Sequence, residues 1–547
     1  MGIQRTIDDA RLRATFEAAG APGAQAEAVL EERAEGLSDE RSLALVAIDA
    51  DAVQRTLLAS PRPVTIAGAS ATLQQWDRDL RKHDEVVPSE ATVLFAGGGT
   101  AVVLAPARAA ASLGAKLERA YAERMHARAT AAHVAVSPRE LVSGPRALTP
   151  PVDGLARLGL RPGGGGFGGC MANLAFALRT AKSAARAHFD VTEATSVARC
   201  AETGDRPRAP GHDAKGDPWT VSEFARGHRE AGRKEKAADE QARSLDDLLK
   251  RAKARRLAFI CIDGAKIGTL LTGLTSLREY VGLSSTLDDA FSSVLLEDVQ
   301  RELGIRPREH QVILAGGDDL LLVVPAEGRG ERPNALELTR RIARRIEGAF
   351  ADGPRDGKVG VGAGVLITSG GLPSRIAFDY ARALCDSAKR AIDDVDRSGV
   401  DFEVVLAGAP LSSSIASLRE ARERTTDSFP KMGQSAMLRD TQCPYAIGRF
   451  EGLLAVAEAL HEAKVGQSTL AAYTRALEQG ELNTALIDVY YQLARDRTGH
   501  VREALGVTSL EPDAPSEWIA RQVSEPERVW ATGLRDLVEV TKLMRRR

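Results

Sequence analysis

The sequence predicts an α+β chain with two ferredoxin-like βαββαβ units set among helical segments. Three observations carry that prediction. Ala91–Pro106 (ATVLFAGGGTAVVLAP) and Gln311–Pro325 (QVILAGGDDLLLVVP) share one pattern: apolar run, glycine-rich turn, apolar run. Each lies between a strand-then-helix pattern and a helix-then-strand pattern, so the βαββαβ order occurs twice, as an internal duplication. The C-terminal part, with YAIGRFEGLLAVAEAL and LNTALIDVYYQLARD, repeats its apolar residues at the helical period and reads as nearly all helix.

Composition narrows the function classes. A chain of 547 residues is long enough for three or four domains. Hydrophobic residues at 44% and charged residues at 27% give a globular, water-soluble profile. Aromatics at 4% argue against stacking platforms for bases, and a net charge of -2 argues against a uniformly basic nucleic-acid binder. Cys170, Cys200, Cys261, Cys385 and Cys443 are scattered with no CxxC pair, which points to a reducing cytoplasm without a disulfide framework or a complete zinc site. The first twenty residues have no apolar signal core, and no stretch is apolar enough to span a bilayer.

Residues 1–40 read as one or two short amphipathic helices. Leu43–Val53 (LALVAIDADAV) holds a buried strand ending at Asp49 and Asp51, which read as a relic of a metal site or as ordinary strand-end acids, the second reading being preferred. Val64–Leu73 (VTIAGASATL) enters a helix that continues towards Leu80. The first hairpin turns at Gly97, Gly98, Gly99 and Thr100, followed by a helix over Arg108–Ala127 and a short strand over His133–Val136. This copy keeps the glycines and lacks the hairpin acids, so it reads as inactive. Pro162–Gly169 (PGGGGFGG) lacks the Lys-Ser/Thr of a phosphate loop and reads as a flexible loop before the helix Met171–Ala187. Cys200 and His212 are too few for a zinc site, and Arg226–Arg256 reads as a solvated helical linker.

The second copy carries the chemistry. Leu257–Asp263 (LAFICID) is a buried strand ending in a carboxylate, and helical pattern resumes by Leu287. The hairpin then places Gly316, Gly317, Asp318 and Asp319 at its turn. The glycines permit positive φ and close approach, and two adjacent carboxylates on an apolar hairpin call for solvent or a cation. Leu336–Phe350 is an amphipathic helix, Lys358–Thr368 a strand and Pro373–Ile392 a helix. In this topology the first strand and the hairpin are sheet neighbours, so Asp263 is expected beside Asp318 and Asp319. Three carboxylates suit two Mg²⁺ or Mn²⁺ ions, which keep waters and bind phosphates. Spacing alone leaves Lys389 open between a phosphate contact and a solvated surface lysine.

These residues resemble the CRISPR polymerase family, the large subunit of type III CRISPR effector complexes. Gly316-Gly317-Asp318-Asp319 resembles its GGDD motif, and FICIDGAKIG, with Asp263, resembles its first metal strand. VGAGVLITSGGLPSRIAFDYARALCDSAKRA resembles its following strand and helix and puts Lys389 on the family's lysine. IAGAS and AGGGT are similar to the family's degenerate first palm. The resemblance implies five parts: an N-terminal helical segment (1–40), a degenerate palm (41–150), a helical linker domain without zinc (151–255), a catalytic palm (256–410) and a C-terminal helical domain (411–547). It implies polymerisation of ATP into 3′–5′ linked, cyclic oligoadenylate, a second messenger of antiviral defence. It also implies adenine selection by Ser292 or Ser293, and assembly with effector subunits, guide RNA and target RNA. Two family features are missing. About 40 residues precede the first palm, and the adjacent His-Asp pairs, His83-Asp84 inside that palm and His212-Asp213 beyond it, both lie outside this leading segment, so no histidine-aspartate nuclease is expected. Only Cys170 and Cys200 lie between the palms, thirty positions apart, too few for a cysteine zinc cluster, so no zinc is expected there. The alternatives are another palm-type nucleotide cyclase, and a non-catalytic scaffold or RNA-binding subunit.

Overall fold

The computed structural model describes residues 8–51, 53–58, 60, 63–82, 86–142, 166–189, 223–234, 245–291, 309–351, 359–369, 371–392, 397–405, 414–420, 424–426, 436–478, 482–507, 516–519, 521–524 and 529–544. Ser292, Ser293, His83, Asp84, Cys200 and His212 lie outside them.

Two helices come first, α1 (Asp9–Ala18) and α2 (Gly23–Leu30). The first unit follows as β1 (Leu43–Ala50), α3 (Val53–Leu57), α4 (Pro63–Arg81), β2 (Thr92–Gly97), β3 (Thr100–Pro106), α5 (Ala110–Met125) and β4 (Ala129–Val136). Then come α6 (Phe167–Phe189), α7 (Glu223–Lys234) and α8 (Leu245–Ala252). The second unit is β5 (Leu257–Ala265), α9 (Ile267–Thr272), α10 (Leu277–Phe291), β6 (Gln311–Gly316), β7 (Asp319–Pro325), α11 (Ala335–Ala349) and β8 (Gly360–Thr368). It continues into α12 (Ser374–Ala388) and β9 (Gly399–Val405).

The first sheet has the order β2-β3-β1-β4 and the second β12-β9-β8-β5-β7-β6, where β12 is Tyr445–Ala446. Both contain the same four-strand core with the unit's first strand between its third and fourth. This is the ferredoxin-like arrangement that the duplicated pattern predicts.

Strand alternation explains the packing. On β1, Ala44, Val46 and Ile48 face one core, and Leu43, Leu45 and Ala47 face another. On β5, Leu257, Phe259 and Cys261 join the core that holds Val46 and Ile48, so the two units share a central apolar layer. Ala258, Ile260 and Ile262 face the opposite way, onto α11 and the C-terminal helices. Helix α6 packs on the outer face of the first sheet through Phe167, Cys170 and Leu174. A segment expected to be linker therefore completes the first unit.

Two sequence expectations are corrected. Helix α10 begins at Leu277, ten positions before the expected restart: Leu277, Tyr280 and Val281 already stand at helical spacing and bury against the first unit's outer core. The C-terminal part is not all helix. Arg424–Thr426, Ala436–Arg439, Val529–Ala531 and Arg521–Ser524 form a four-stranded sheet. Strands of three or four residues are too short to show alternation.

Candidate active site

The site grows from the register of the second sheet. Asp263 pairs with Asp319 on β7 and with Gly362 on β8. These three positions form one row across the sheet, and directly opposed positions share a face. The same face carries Phe259 and Cys261, against which α12 packs through Phe378, Leu384 and Cys385.

Glycines on β8 set how close α12 comes. A Cβ on Gly364 would stand 2.0 Å from the Ala381 carbonyl oxygen, and one on Gly362 would stand 2.6 Å from Lys389 Cγ. The helix backbone thus rests directly on the strand, and its C-terminal residue Lys389 lies over Gly362, next to Asp263 in the row. Lys389 Nζ is 2.6 Å from Asp263 Oδ2. Both side chains remain about a third exposed, at 31% and 30%, so water and ions reach the pair. Burial works against the Lys389 ammonium, but the hydrogen bond and charge of Asp263 outweigh it and hold its pKa above the ordinary lysine value.

Asp318 occupies the turn. Its carbonyl accepts the Gly264 N–H at 3.0 Å, which fastens the turn to the end of β5. Burial, and then the neighbouring charge of Asp263, push its carboxyl above the usual carboxylate range, while Lys389 opposes the shift. Asp263, Asp318 and Lys389 therefore share one electrostatic environment. Among the described residues, no group of three or more His, Cys, Asp or Glu side chains is gathered closely enough to hold a metal ion. The chemistry of the donors still fits a hard divalent cation. Two mutually repelling carboxylates at an exposed sheet end leave most coordination positions to water and phosphate, which is how Mg²⁺ is usually bound.

The two glycine turns meet. Gly316 has φ 153° and Gly317 φ 67°, Gly98 φ 63° and Gly99 φ 85°. A Cβ on Gly98 would stand 2.9 Å from the Gly316 carbonyl oxygen, and one on Gly316 would stand 3.0 Å from Gly98 N. Only glycine allows both the positive φ and this backbone contact.

The first unit retains more than its sequence suggested. Asp49 pairs with Thr100 as Asp263 pairs with Asp319. Lys182 Nζ lies 2.7 Å from Asp49 Oδ2, and Thr100 Oγ1 donates to Asp49 Oδ1 at 3.0 Å. Lys182 and Lys389 each stand fifteen positions beyond the first residue of their helix, Phe167 and Ser374. Asp49 is thus the register counterpart of Asp263, with its own lysine, rather than an ordinary strand-end acid. The hairpin acids have no counterpart, since Gly99 and Thr100 stand in their places. Asp51 is neutralised by Arg128 at 3.1 Å and Lys182 at 3.4 Å. Sequence reasoning missed Lys182; its signal was the matched spacing from the helix start.

A ferredoxin-like sheet, an acid-tipped glycine hairpin and a lysine-paired acid on the neighbouring strand define a palm-like α+β domain. Residues 256–397 match the family model described as Cas10/Cmr2, second palm domain. The chain therefore carries the second palm of the CRISPR polymerase family. No curated protein matches it in sequence. Among solved structures it resembles Csm1 in T. onnurineus, with a TM-score of 0.53 and 15% identity over 96% of this chain and 73% of that one. It also resembles the apo Csm1-Csm4 cassette, with a TM-score of 0.52 and 14% identity over 95% of this chain and 74% of that chain. The Csm1-Csm4 cassette in complex with cA4 gives a TM-score of 0.52 and 14% identity over 97% and 72%. At such identities the likeness concerns the fold.

Proposed function

We propose that this protein is a metal-dependent nucleotidyltransferase that polymerises ATP into 3′–5′ linked, cyclic oligoadenylate within type III CRISPR antiviral defence. The observation that carries the reading is the row Asp319–Asp263–Gly362 with Lys389 above it, at the tip where the two glycine turns touch. In each elongation step a 3′-hydroxyl oxygen attacks the α-phosphorus of another ATP, and in ring closure that of the chain's own 5′-triphosphate; the bond from this phosphorus to the oxygen bridging to the β-phosphorus breaks, pyrophosphate leaves, and the hydroxyl proton passes to water. Asp263, Asp318 and Asp319 are the residues that would hold two Mg²⁺ or Mn²⁺ ions. Bound there, such ions lower the pKa of the attacking hydroxyl and stabilise the leaving pyrophosphate. Lys389 offers a point charge to a phosphate, and Gly317 leaves the turn without a side chain where a triphosphate would lie, while Gly316 rests against Gly98.

The solved Csm1-Csm4 cassettes in complex with cA4, with cA3 and with pppApApA support a product of this class. The likeness to the Csm1-Csm4 cassette supports a place among effector subunits, and the reading adds guide and target RNA as partners. No described helix is long and apolar enough to cross a membrane, and a cytoplasmic location completes the reading.

Incubation of the purified chain, with effector subunits where needed, with ATP and Mn²⁺ tests it. Oligoadenylates are expected from the wild type and none from the Asp318→Ala, Asp319→Ala double variant. Equal yield from both would overturn the site. GTP as sole substrate separates this reading from another palm-type cyclase. The absence of binding to a non-hydrolysable ATP analogue with Mg²⁺ would favour the scaffold.

A further inference from the structure

Away from the acid-tipped turn, one set of buried charges bridges the two units. Asp77 and Arg81 lie one turn apart on α4, and Asp288 lies on α10 of the second unit. Asp77 Oδ1 accepts the Gly99 N–H of the first glycine turn at 3.3 Å. Arg81 Nε donates to the Ala96 carbonyl oxygen at 2.6 Å, and its Nη2 donates to the Asp288 carboxylate. The guanidinium also flanks the contact between the turns. A Cβ on Gly97 would stand 3.4 Å from Arg81 Nη2 and 3.3 Å from Gly317 N. Asp77 and Asp288 are buried, at 6% and 5% exposure.

Taking the Asp288 carboxylate and most of the Arg81 side chain, which keeps 22% exposure, out of water costs several kcal/mol before their attraction is counted, so packing alone does not favour the pair. Apolar side chains would fill the same space at lower cost. The planar guanidinium fork holds a carbonyl and a carboxylate at a fixed separation and angle, whereas a lysine ammonium offers its three donors from a single point. We propose that Arg81, bonded to the Ala96 carbonyl oxygen and to Asp288, is a positioning residue that fixes the glycine turn of the first unit against the acid-tipped turn of the second. The proposal rests on the nucleotidyltransferase reading for its activity readout and on no function for its exchange readout.

The test uses the full chain with Arg81→Met, Arg81→Lys and Asp288→Asn, assayed with ATP and Mn²⁺. Hydrogen exchange is followed at the amides of residues 97–100 and 316–319. Arg81→Met is expected to raise exchange in both turns while the rest of the two sheets keeps its protection. It is expected to lower kcat by about 10² with KM held within about twofold, since a shift of order 1 Å in positioned groups costs that much. Arg81→Lys should fall between wild type and Arg81→Met. Asp288→Asn combined with Arg81→Met should add nothing to the kcat loss. Wild-type exchange in both turns, or a loss confined to KM, overturns the proposal. If Arg81→Met unfolds as a whole, Arg81→Lys and Asp288→Asn decide on the same two readouts. A wild type that never turns over ATP refutes the functional reading, and the exchange at the two turns still decides this one.

Discussion

At the scale of single residues, the site depends on which charges face one another. Asp263 and Lys389 are 126 positions apart in sequence and 2.6 Å apart in space. Sequence alone left Lys389 undecided between a phosphate contact and a surface lysine; the register supplies the missing fact, that Gly362 lies opposite Asp263 and under the lysine. Lys389→Met should lower ATP turnover by roughly 10²-fold, the order seen when one aligned charge or donor is removed from a site. A steady-state assay checks this. Asp77 carries a pH dependence. Burial raises its pKa from 3.8 to about 7, with Arg81 and the Gly99 N–H opposing. Between those values the folded chain binds more protons at this group than the unfolded chain does. Its contribution to stability is therefore greatest at low pH and falls as pH rises through about 7. The difference in thermal midpoint between about pH 5 and pH 8 should shrink in Asp77→Asn. Asp77 and Arg81 gave no sequence signal, because an acid and a base four positions apart on a helix usually mean an exposed pair.

At the scale of elements, the contact of α12 with β8 places the lysine. KVGVGAGVLIT is legible as a strand, but the purpose of its glycines is not. Alternate glycines in a strand gain meaning only when a helix lies across them, and the helix that does so follows the strand in sequence. Gly364→Ala would put a Cβ 2.0 Å from the Ala381 carbonyl oxygen, so the helix must lift. Overpacking of this kind costs about 1–3 kcal/mol, and Lys389 moves with the helix. A chemical denaturation curve and an ATP assay on Gly364→Ala should both show losses. Wild-type values in both would mean that α12 has room which the close contacts deny. Both hairpins were legible, because each is a long apolar alternation broken by a glycine turn. The short C-terminal strands were not, since long-range packing decides them, whereas the start of α10 was open to reading in the helical spacing of Leu277, Tyr280 and Val281.

At the scale of the whole molecule, two buried nodes hold the parts together. One is the shared apolar layer between the sheets. The other ties the C-terminal helices to the second unit. Asp536 accepts hydrogen bonds from Tyr445 Oη at 2.6 Å, Thr441 Oγ1 at 2.8 Å and Gln442 N at 3.0 Å, and Tyr445 itself pairs with β9. Tyr445→Phe leaves the buried carboxylate short of a partner and should destabilise the chain by about 1–3 kcal/mol in equilibrium unfolding. A wild-type midpoint would mean that solvent reaches Asp536. The duplicated architecture was legible in outline from two hairpins alone. Their face-to-face contact was not, because a contact between Gly98 and Gly316 leaves no trace in either local pattern.

The central claim is that Asp263, Asp318 and Asp319 act as one site, and ATP turnover in combined variants tests it most directly. Asp263→Asn alone should abolish oligoadenylate synthesis about as completely as the Asp318→Ala, Asp319→Ala pair, and the triple variant should be no worse than either, as for residues that work as a unit. Substantial turnover by Asp263→Asn, or losses that multiply across the three positions, would contradict it.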